Sequence, residues 1–179
     1  EMDRHNLIGK VEARNKQIIY AEEKCLINDV IIQPFDIPHD AAQPVGYCVY
    51  FEDRKISVAT DMGCVTDNIR EKLYDSDVLL LESNHDIDML KNGRYPVRLK
   101  NRIMGNKGHL SNTVAGELLS EIISSRLKYV FLGHLSAENN RPLIALDTVT
   151  SILGANHIKV GKEFQLYLAQ RGAVSESLI

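Results

Sequence analysis

The sequence has 179 residues, and its 21 lysines and arginines against 24 aspartates and glutamates give a formal net charge of −3. Hydrophobic residues make up 44% and charged residues 25%, which excludes a disordered or fibrous chain and is typical of one globular domain. The slightly negative net charge gives no support for nucleic-acid binding through overall positive charge. A local basic surface would still be compatible with this net charge.

Three cysteines, Cys25, Cys48 and Cys64, are odd in number and form no CxxC pair. We therefore expect neither a disulfide framework nor a zinc knuckle, and we expect a reducing compartment. The first residues form no apolar signal-peptide core, and no apolar run approaches the length of a membrane span. These features predict a cytoplasmic protein without a membrane partner.

The first half of the chain is rich in predicted strands. Its apolar and β-branched runs predict strands at residues 17–20, 30–35, 46–51, 55–60 and 77–82. The third and fourth of these flank a charged turn and predict a hairpin, and the last is a continuous apolar run, typical of a buried strand. A short helix is predicted between them, over residues 67–74.

The second half of the chain alternates helices with strands. Residues 86–110 are mixed in character and basic, with Lys91, Arg94, Arg98, Lys100, Arg102 and Lys107. Ser111 and Asn112 can then cap a helix, because apolar positions recur every four residues after them. A strand at 129–132, a helix at 141–153 and an edge strand at 164–169 complete the chain. This alternation predicts a layered α/β domain.

Candidate functional residues collect at the ends of predicted strands. His39, Asp61, Glu82 and His134 each lie at or just after a strand end, and His109 directly precedes a helix start. Ligand sites assemble at such loops in α/β folds. Imidazole and carboxylate groups together suit a zinc- or manganese-class ion, which lowers the pKa of bound water and provides a hydroxide nucleophile.

The spacing of these residues alone is equally compatible with purely structural roles. The histidines could be satisfied loop residues, Asp61 could form an Asx turn, and Glu82 could be a solvated strand end. The sequence contains no HxH or HxxxH pair that would favour a metal site.

Four segments, taken in order, resemble a known family. They are FDIPHDAAQPVGYCVYFEDRKISVATDMG, VLLLESNHD, GHLSN and LGHLSAENN, and together they resemble the metallo-β-lactamase superfamily, more narrowly its WalJ/YycJ group of bacterial metal-dependent hydrolases. The resemblance extends from about Gly9 to Ala169. It implies an α/β fold, the metallo-β-lactamase-like αββα sandwich.

The resemblance also implies roles for individual residues. His39 matches a histidine ligand of the first metal, Asp61 the aspartate that bridges two metals, and His134 a histidine ligand of the second. His109 resembles the histidine that related ribonucleases use near the scissile phosphate, and with Asp61 it is the expected catalytic residue. Glu82 and His85 are expected to be substrate-pocket residues. The cofactors implied for the complete protein are two divalent metal ions, zinc or manganese.

One feature of the family is missing from the sequence. The superfamily motif HxHxDH is absent, because no two of the six histidines are two residues apart. Residues 1–179 therefore resemble the C-terminal part of a single domain that is incomplete at its N-terminus. We expect no metal or only partial metal in this chain alone. We also expect an exposed sheet region that pairs with a second copy or with the missing segment.

The leading functional interpretation is a phosphodiesterase or DNA exonuclease that acts on duplex ends, with this chain alone inactive. The basic residues between 91 and 107 could contact DNA phosphates, or they could simply be solvated. Two alternatives stay open. One is a hydrolase of thioesters or lactones on the same fold, and the other is a catalytically inactive binding fragment.

Overall fold

A computed structural model describes residues 11–175 of the chain. The residues outside this range include Gly9, where the resemblance begins. Within the range, seven strands form one sheet in the order β1 to β7, accompanied by five α-helices. The strands are β1 (Cys25–Ile27), β2 (Val30–Asp36), β3 (Val45–Phe51), β4 (Arg54–Ala59), β5 (Val78–Glu82), β6 (Tyr129–Gly133) and β7 (Gln165–Leu168). The helices are α1 (Asp67–Leu73), α2 (Ile87–Asn92), α3 (Val97–Met104), α4 (Asn112–Ile122) and α5 (Pro142–Ala155).

The sheet changes from antiparallel to parallel at β4. Strands β1 to β4 form an antiparallel meander, whereas β4 to β7 are parallel neighbours. Helices connect the parallel strands, as crossover connections require. Because β4, β5 and β6 are parallel and adjacent, their carboxyl ends lie along the same edge of the sheet. The predicted layered α/β architecture is confirmed.

The hydrophobic core lies between one face of the sheet and helices α1, α4 and α5. Alternate strand residues such as Leu79, Leu81 and Leu132 point to this face and are fully buried. They belong to the same core cluster as Leu119 of α4 and Val149 of α5. The continuous apolar run that predicted β5 therefore has its odd-numbered positions in the core, as the two-residue period of a strand requires.

The opposite face of the sheet is also apolar but only partly covered. It carries Ile56, Leu80, Phe131 and Tyr167, of which Ile56 is 44% exposed and the others are intermediate. The rings of Phe131 and Tyr167 stack with centroids 5.4 Å apart. Pairing with a second copy or another segment stays a prediction.

Several sequence-based expectations differ from the structure. Residues 17–20 form no strand, and their apolar side chains are exposed, with Ile18 76% and Tyr20 60% accessible. Helices α2 and α3 occupy the basic stretch for which no element was predicted, and the short strand β1 was also missed. The three cysteines are free thiols, as predicted. Among the described helices, none has the length and apolar character needed to cross a membrane.

Candidate metal centre

The carboxyl ends of β4, β5 and β6 bring three predicted site residues together. Asp61 follows β4 by two residues, Glu82 is the last residue of β5, and His134 is the first after β6. With His109, they form a group whose ligand atoms all lie within 4.8 Å of one another. Asp61 and His134 adopt positive φ values of 62° and 57°. Non-glycine residues pay a strain cost in this region, and such strain is often found at functional sites.

The loop that carries His109 is held closely against the loop that carries Asp61. A Cβ atom at Gly63 would lie 2.3 Å from the carbonyl carbon of Asn106, so only glycine permits this approach of the two backbones. After His109, the Ser111 hydroxyl caps α4 by accepting a hydrogen bond from the Val114 N–H. The cap predicted at the start of this helix is confirmed.

His39 reaches the same site from the loop between β2 and β3. Its Nε2 lies 3.8 Å from Asp61 Oδ1, and its Nδ1 is 3.0 Å from the Gly108 carbonyl oxygen. The neighbouring Asp40 accepts two hydrogen bonds from the Arg102 guanidinium of α3, at 2.5 and 2.8 Å. These bonds hold the pKa of Asp40 below its usual value and tie the His39 loop to α3.

Glu82 lies beneath the histidine rings and has no exposed surface. Its Oε1 accepts hydrogen bonds from Nδ1 of His109 at 2.8 Å and of His134 at 2.7 Å. Its Oε2 accepts backbone N–H groups of Met62 at 2.7 Å and Leu110 at 3.3 Å. Burial by itself would raise the pKa of Glu82, but the hydrogen bonds from both histidines and Met62 outweigh it and lower the pKa. Glu82 is therefore held as a carboxylate.

These hydrogen bonds determine which ring nitrogens face the site. A carboxylate and a carbonyl oxygen can only accept, so the Nδ1 atoms of His134 and His39 carry the protons. In the neutral rings, each Nε2 then presents a lone pair, at 3.7 Å and 3.8 Å respectively from Asp61 Oδ1. Two nitrogen lone pairs and a carboxylate oxygen thus converge on one small region.

This donor set fits a divalent cation. Imidazole nitrogen and carboxylate oxygen are ordinary ligands of zinc-class ions, and metal-bound histidines usually donate their second N–H to a carboxylate or a carbonyl. The hydrogen bond to Glu82 raises the pKa of His134 despite the opposing effect of burial, and the nearby Asp61 adds to the rise. The same negative potential that favours a proton on His134 favours a bound cation.

A buried amide network joins the loops around this centre. Asn140 donates to the backbone oxygens of Ser83 and Asn84, and it exchanges hydrogen bonds with the Asn112 side chain. Asn84 in turn donates to the His134 carbonyl at 2.9 Å. The network links the ends of β5 and β6 to the start of α4, which fixes the backbone on which the site side chains stand.

The structure brings most of the predicted site residues together. His39, Asp61, Glu82, His109 and His134 meet at one sheet edge, beside a cleft of about 470 Å³. His85 is not part of this group: it lines a neighbouring cavity and is 2% exposed, its Nδ1 has no hydrogen-bond partner among the described residues, and burial lowers its pKa to about 4.

Sequence reasoning did not single out the three asparagines of the amide network. Their position in the sequence could have indicated them, because Asn84, Asn112 and Asn140 each lie within one of the segments that resemble the family. These segments therefore carry both the reactive side chains and the residues that hold the loops.

The fold and the site together define a protein of the metallo-β-lactamase fold class. The structure matches the metallo-β-lactamase fold protein YhfI from Bacillus subtilis with a TM-score of 0.60 at 12% identity, covering 87% of this chain and 52% of YhfI. It matches zinc-bound PqqB from Methylobacterium extorquens with a TM-score of 0.56 at 16% identity, covering 88% of this chain and 54% of PqqB. Likeness at such identities establishes the fold alone.

Sequence comparison identifies the family more narrowly. Residues 3–131 match the family model of the β-lactamase superfamily domain, and the chain belongs to this superfamily. It is 32% identical over 162 residues to exodeoxyribonuclease YycJ of Bacillus anthracis, covering 90% of this chain and 61% of the relative. It is 34% identical over 166 residues to exodeoxyribonuclease WalJ of Streptococcus pneumoniae serotype 2, covering 93% and 62%. The predicted resemblance to this group is confirmed, and the chain spans about three fifths of the length of these relatives.

Proposed function

We propose that this chain is part of a metal-dependent phosphodiesterase that removes nucleotides from DNA ends. The observation that carries the proposal is the convergence of His39 Nε2 and His134 Nε2 on Asp61 Oδ1, beside a third histidine that is hydrogen-bonded to a buried carboxylate. The names of the relatives YycJ and WalJ, both exodeoxyribonucleases, support DNA as the substrate.

In this proposal, His39, Asp61 and His134 hold divalent metal, with Asp61 as the shared ligand. The metal would supply activated water and would neutralise charge on the phosphoryl oxygens. Glu82 and the Gly108 carbonyl act on the ligands by fixing which nitrogen of each ring is available. We propose zinc or manganese as the ion, because the donors are nitrogen and oxygen without thiolate.

In this proposal, His109 transfers a proton. Its Nδ1 donates to the buried Glu82 carboxylate, which leaves Nε2 as the ring nitrogen available to a substrate. A protonated His109 can then donate from Nε2 to the oxygen of the leaving nucleoside as the phosphorus–oxygen bond breaks. In this division of roles, Asp61 and its partners position the nucleophile, and His109 assists the leaving group.

Basic residues of the segment between β5 and α4 support DNA binding. Arg102 is bound to Asp40, and Arg94 lies 3.3 Å from Glu138. Lys91, Arg98 and Lys107 are exposed and form no ion pair with the carboxylates that the structure describes, so these three are the proposed phosphate contacts. The free cysteines support a reducing, cytoplasmic location for the reaction.

The test is a nuclease assay on the full-length protein. Linear duplex DNA should lose nucleotides from its ends when manganese or zinc is present, and a chelator should stop the reaction. Covalently closed circular DNA of the same sequence should stay intact, because it has no ends. Degradation of both DNAs would refute the exonuclease proposal. Degradation of neither, with hydrolysis of a thioester or a lactone, would replace it with the alternative chemistry.

A further inference from the structure

A second cavity, of about 300 Å³, shares His109 with the cleft of the metal centre. Its other lining residues come from the loops after β4 and β5, from α2, from the end of α3 and from the start of α4: Gly63, His85, Ile87, Lys91, Met104, Leu110, Ser111 and Val114. Its volume lies at the small end of the range for ligand sites, roughly 300–1,000 Å³. It therefore suits one small ring system rather than a stretch of polymer.

The walls of this cavity are mostly apolar, with a few uncharged polar groups. Met104, Leu110 and Val114 provide hydrocarbon surface. His85 also lines the cavity, and the residue as a whole is 2% exposed.

Ser111 offers a second polar group. Its oxygen already accepts the Val114 N–H, which leaves its hydroxyl proton free to donate. Among the described residues that line the cavity, none has a carboxylate and Lys91 is the one flexible cation. A site built for a phosphate would collect cations, whereas this one combines apolar walls with neutral donors and acceptors.

We infer that this cavity receives the base of the nucleoside that leaves when the terminal phosphodiester is cleaved. The inference rests on the proposed nuclease function, in which His109 protonates the leaving oxygen. A cavity that begins at His109 is where the rest of that nucleoside would extend. Apolar side chains would pack against the base, while His85 and Ser111 would hydrogen-bond to its edge, as in other enzymes that accommodate a single base in a pocket.

The test compares two blunt DNA duplexes with the full-length protein. In one duplex, the last two nucleotides of every strand end carry normal bases. In the other, these nucleotides are abasic. The quantity measured is the ratio of kcat/KM for the base-bearing duplex to kcat/KM for the abasic duplex. For wild-type protein, we expect a ratio of about five or more, which is the lower limit of what a stacked base contributes.

Substituting one residue of the cavity wall should remove this preference. Met104→Trp fills the cavity from the end of α3, where Met104 is 39% exposed and a larger side chain can be accommodated. The ratio should fall to about one. Val97→Trp is the matched control, because Val97 lies on the same helix, is 71% exposed and does not line the cavity. It should keep the wild-type ratio. His85→Phe, which keeps a ring but loses both nitrogens, should lower the ratio severalfold.

The outcomes separate this inference from the function on which it rests. A wild-type ratio near one would overturn it, and so would a Met104→Trp ratio equal to that of Val97→Trp. Any effect of the abasic ends on end fraying acts on wild type and variants alike, so it cannot imitate the expected pattern. Failure of the wild type to cleave either duplex would instead refute the nuclease function, and the inference with it.

Discussion

Replacing Glu82 with glutamine tests whether one buried carboxylate organises the whole site. The wild-type carboxylate accepts four hydrogen bonds, two from imidazoles and two from backbone N–H groups. A glutamine side chain has one acceptor oxygen and one NH2 donor. The NH2 group must therefore face either the two imidazole N–H groups or the two backbone N–H groups, which are donors themselves. Two hydrogen bonds are then lost, at roughly 1.5–3 kcal/mol each for a charged acceptor, and removing the buried charge recovers part of that cost. We expect the free energy of unfolding to fall by about 2–4 kcal/mol.

The same substitution should weaken metal binding. Residues that orient metal ligands typically contribute about 10–100-fold in affinity, and Glu82 orients His134 directly. Unfolding by guanidinium in the presence of a chelator measures the stability, and competition with a fluorescent zinc chelator measures the affinity. Glu117→Gln is the control, because Glu117 is an exposed carboxylate on α4. Wild-type affinity in Glu82→Gln would refute the orienting role.

Two further predictions follow from other contacts. His109→Asn should lower kcat for DNA cleavage by about 10²–10⁴-fold and leave the metal content unchanged. Steady-state kinetics measures kcat, and elemental analysis measures the metal content. Loss of metal would instead make His109 a metal ligand. Asp77 is buried and forms ion pairs with Arg54 and Arg126. Burial alone would raise the pKa of Asp77, but hydrogen bonds from Arg126, the Lys55 N–H and Arg54 outweigh this effect and lower the pKa. Its contribution to stability is therefore complete above its unfolded pKa of about 3.9 and is lost as the pH falls through the lower folded value. Urea unfolding should show a steeper loss between pH 5 and 2 for wild type than for Asp77→Asn, whereas equal slopes would contradict the role of this carboxylate.

The strands and longer helices were predictable because their local patterns agree with their burial. The β-branched run that predicts residues 30–35 becomes β2, and the four-residue apolar spacing after Ser111 becomes the buried side of α4. Residues 17–20 misled the same reasoning, since an apolar run forms a strand only where a neighbouring strand can pair with it. Helix α3 was missed because it has no side-chain cap at its N-terminus.

The site was predictable as a set of positions but not as a network. Histidines and acids after strand ends, together with the family resemblance, pointed to His39, Asp61, His109 and His134. No local pattern shows that Glu82 bridges two histidines 27 and 52 residues away. The pairing of Asp40 with Arg102, 62 residues apart, is likewise a product of the tertiary fold. Side-chain partners at such separations become visible only when the sheet order is known.

The role proposed for Asp61 is that of a shared metal ligand at the edge of this sheet. The most direct measurement is the metal content of the purified full-length protein by elemental analysis, for wild type, Asp61→Asn and His109→Asn in parallel. Metal retained by wild type and His109→Asn but reduced to a small fraction in Asp61→Asn is the result that we predict. Metal retained in full by Asp61→Asn would contradict the assignment, because the remaining histidines would then suffice without it.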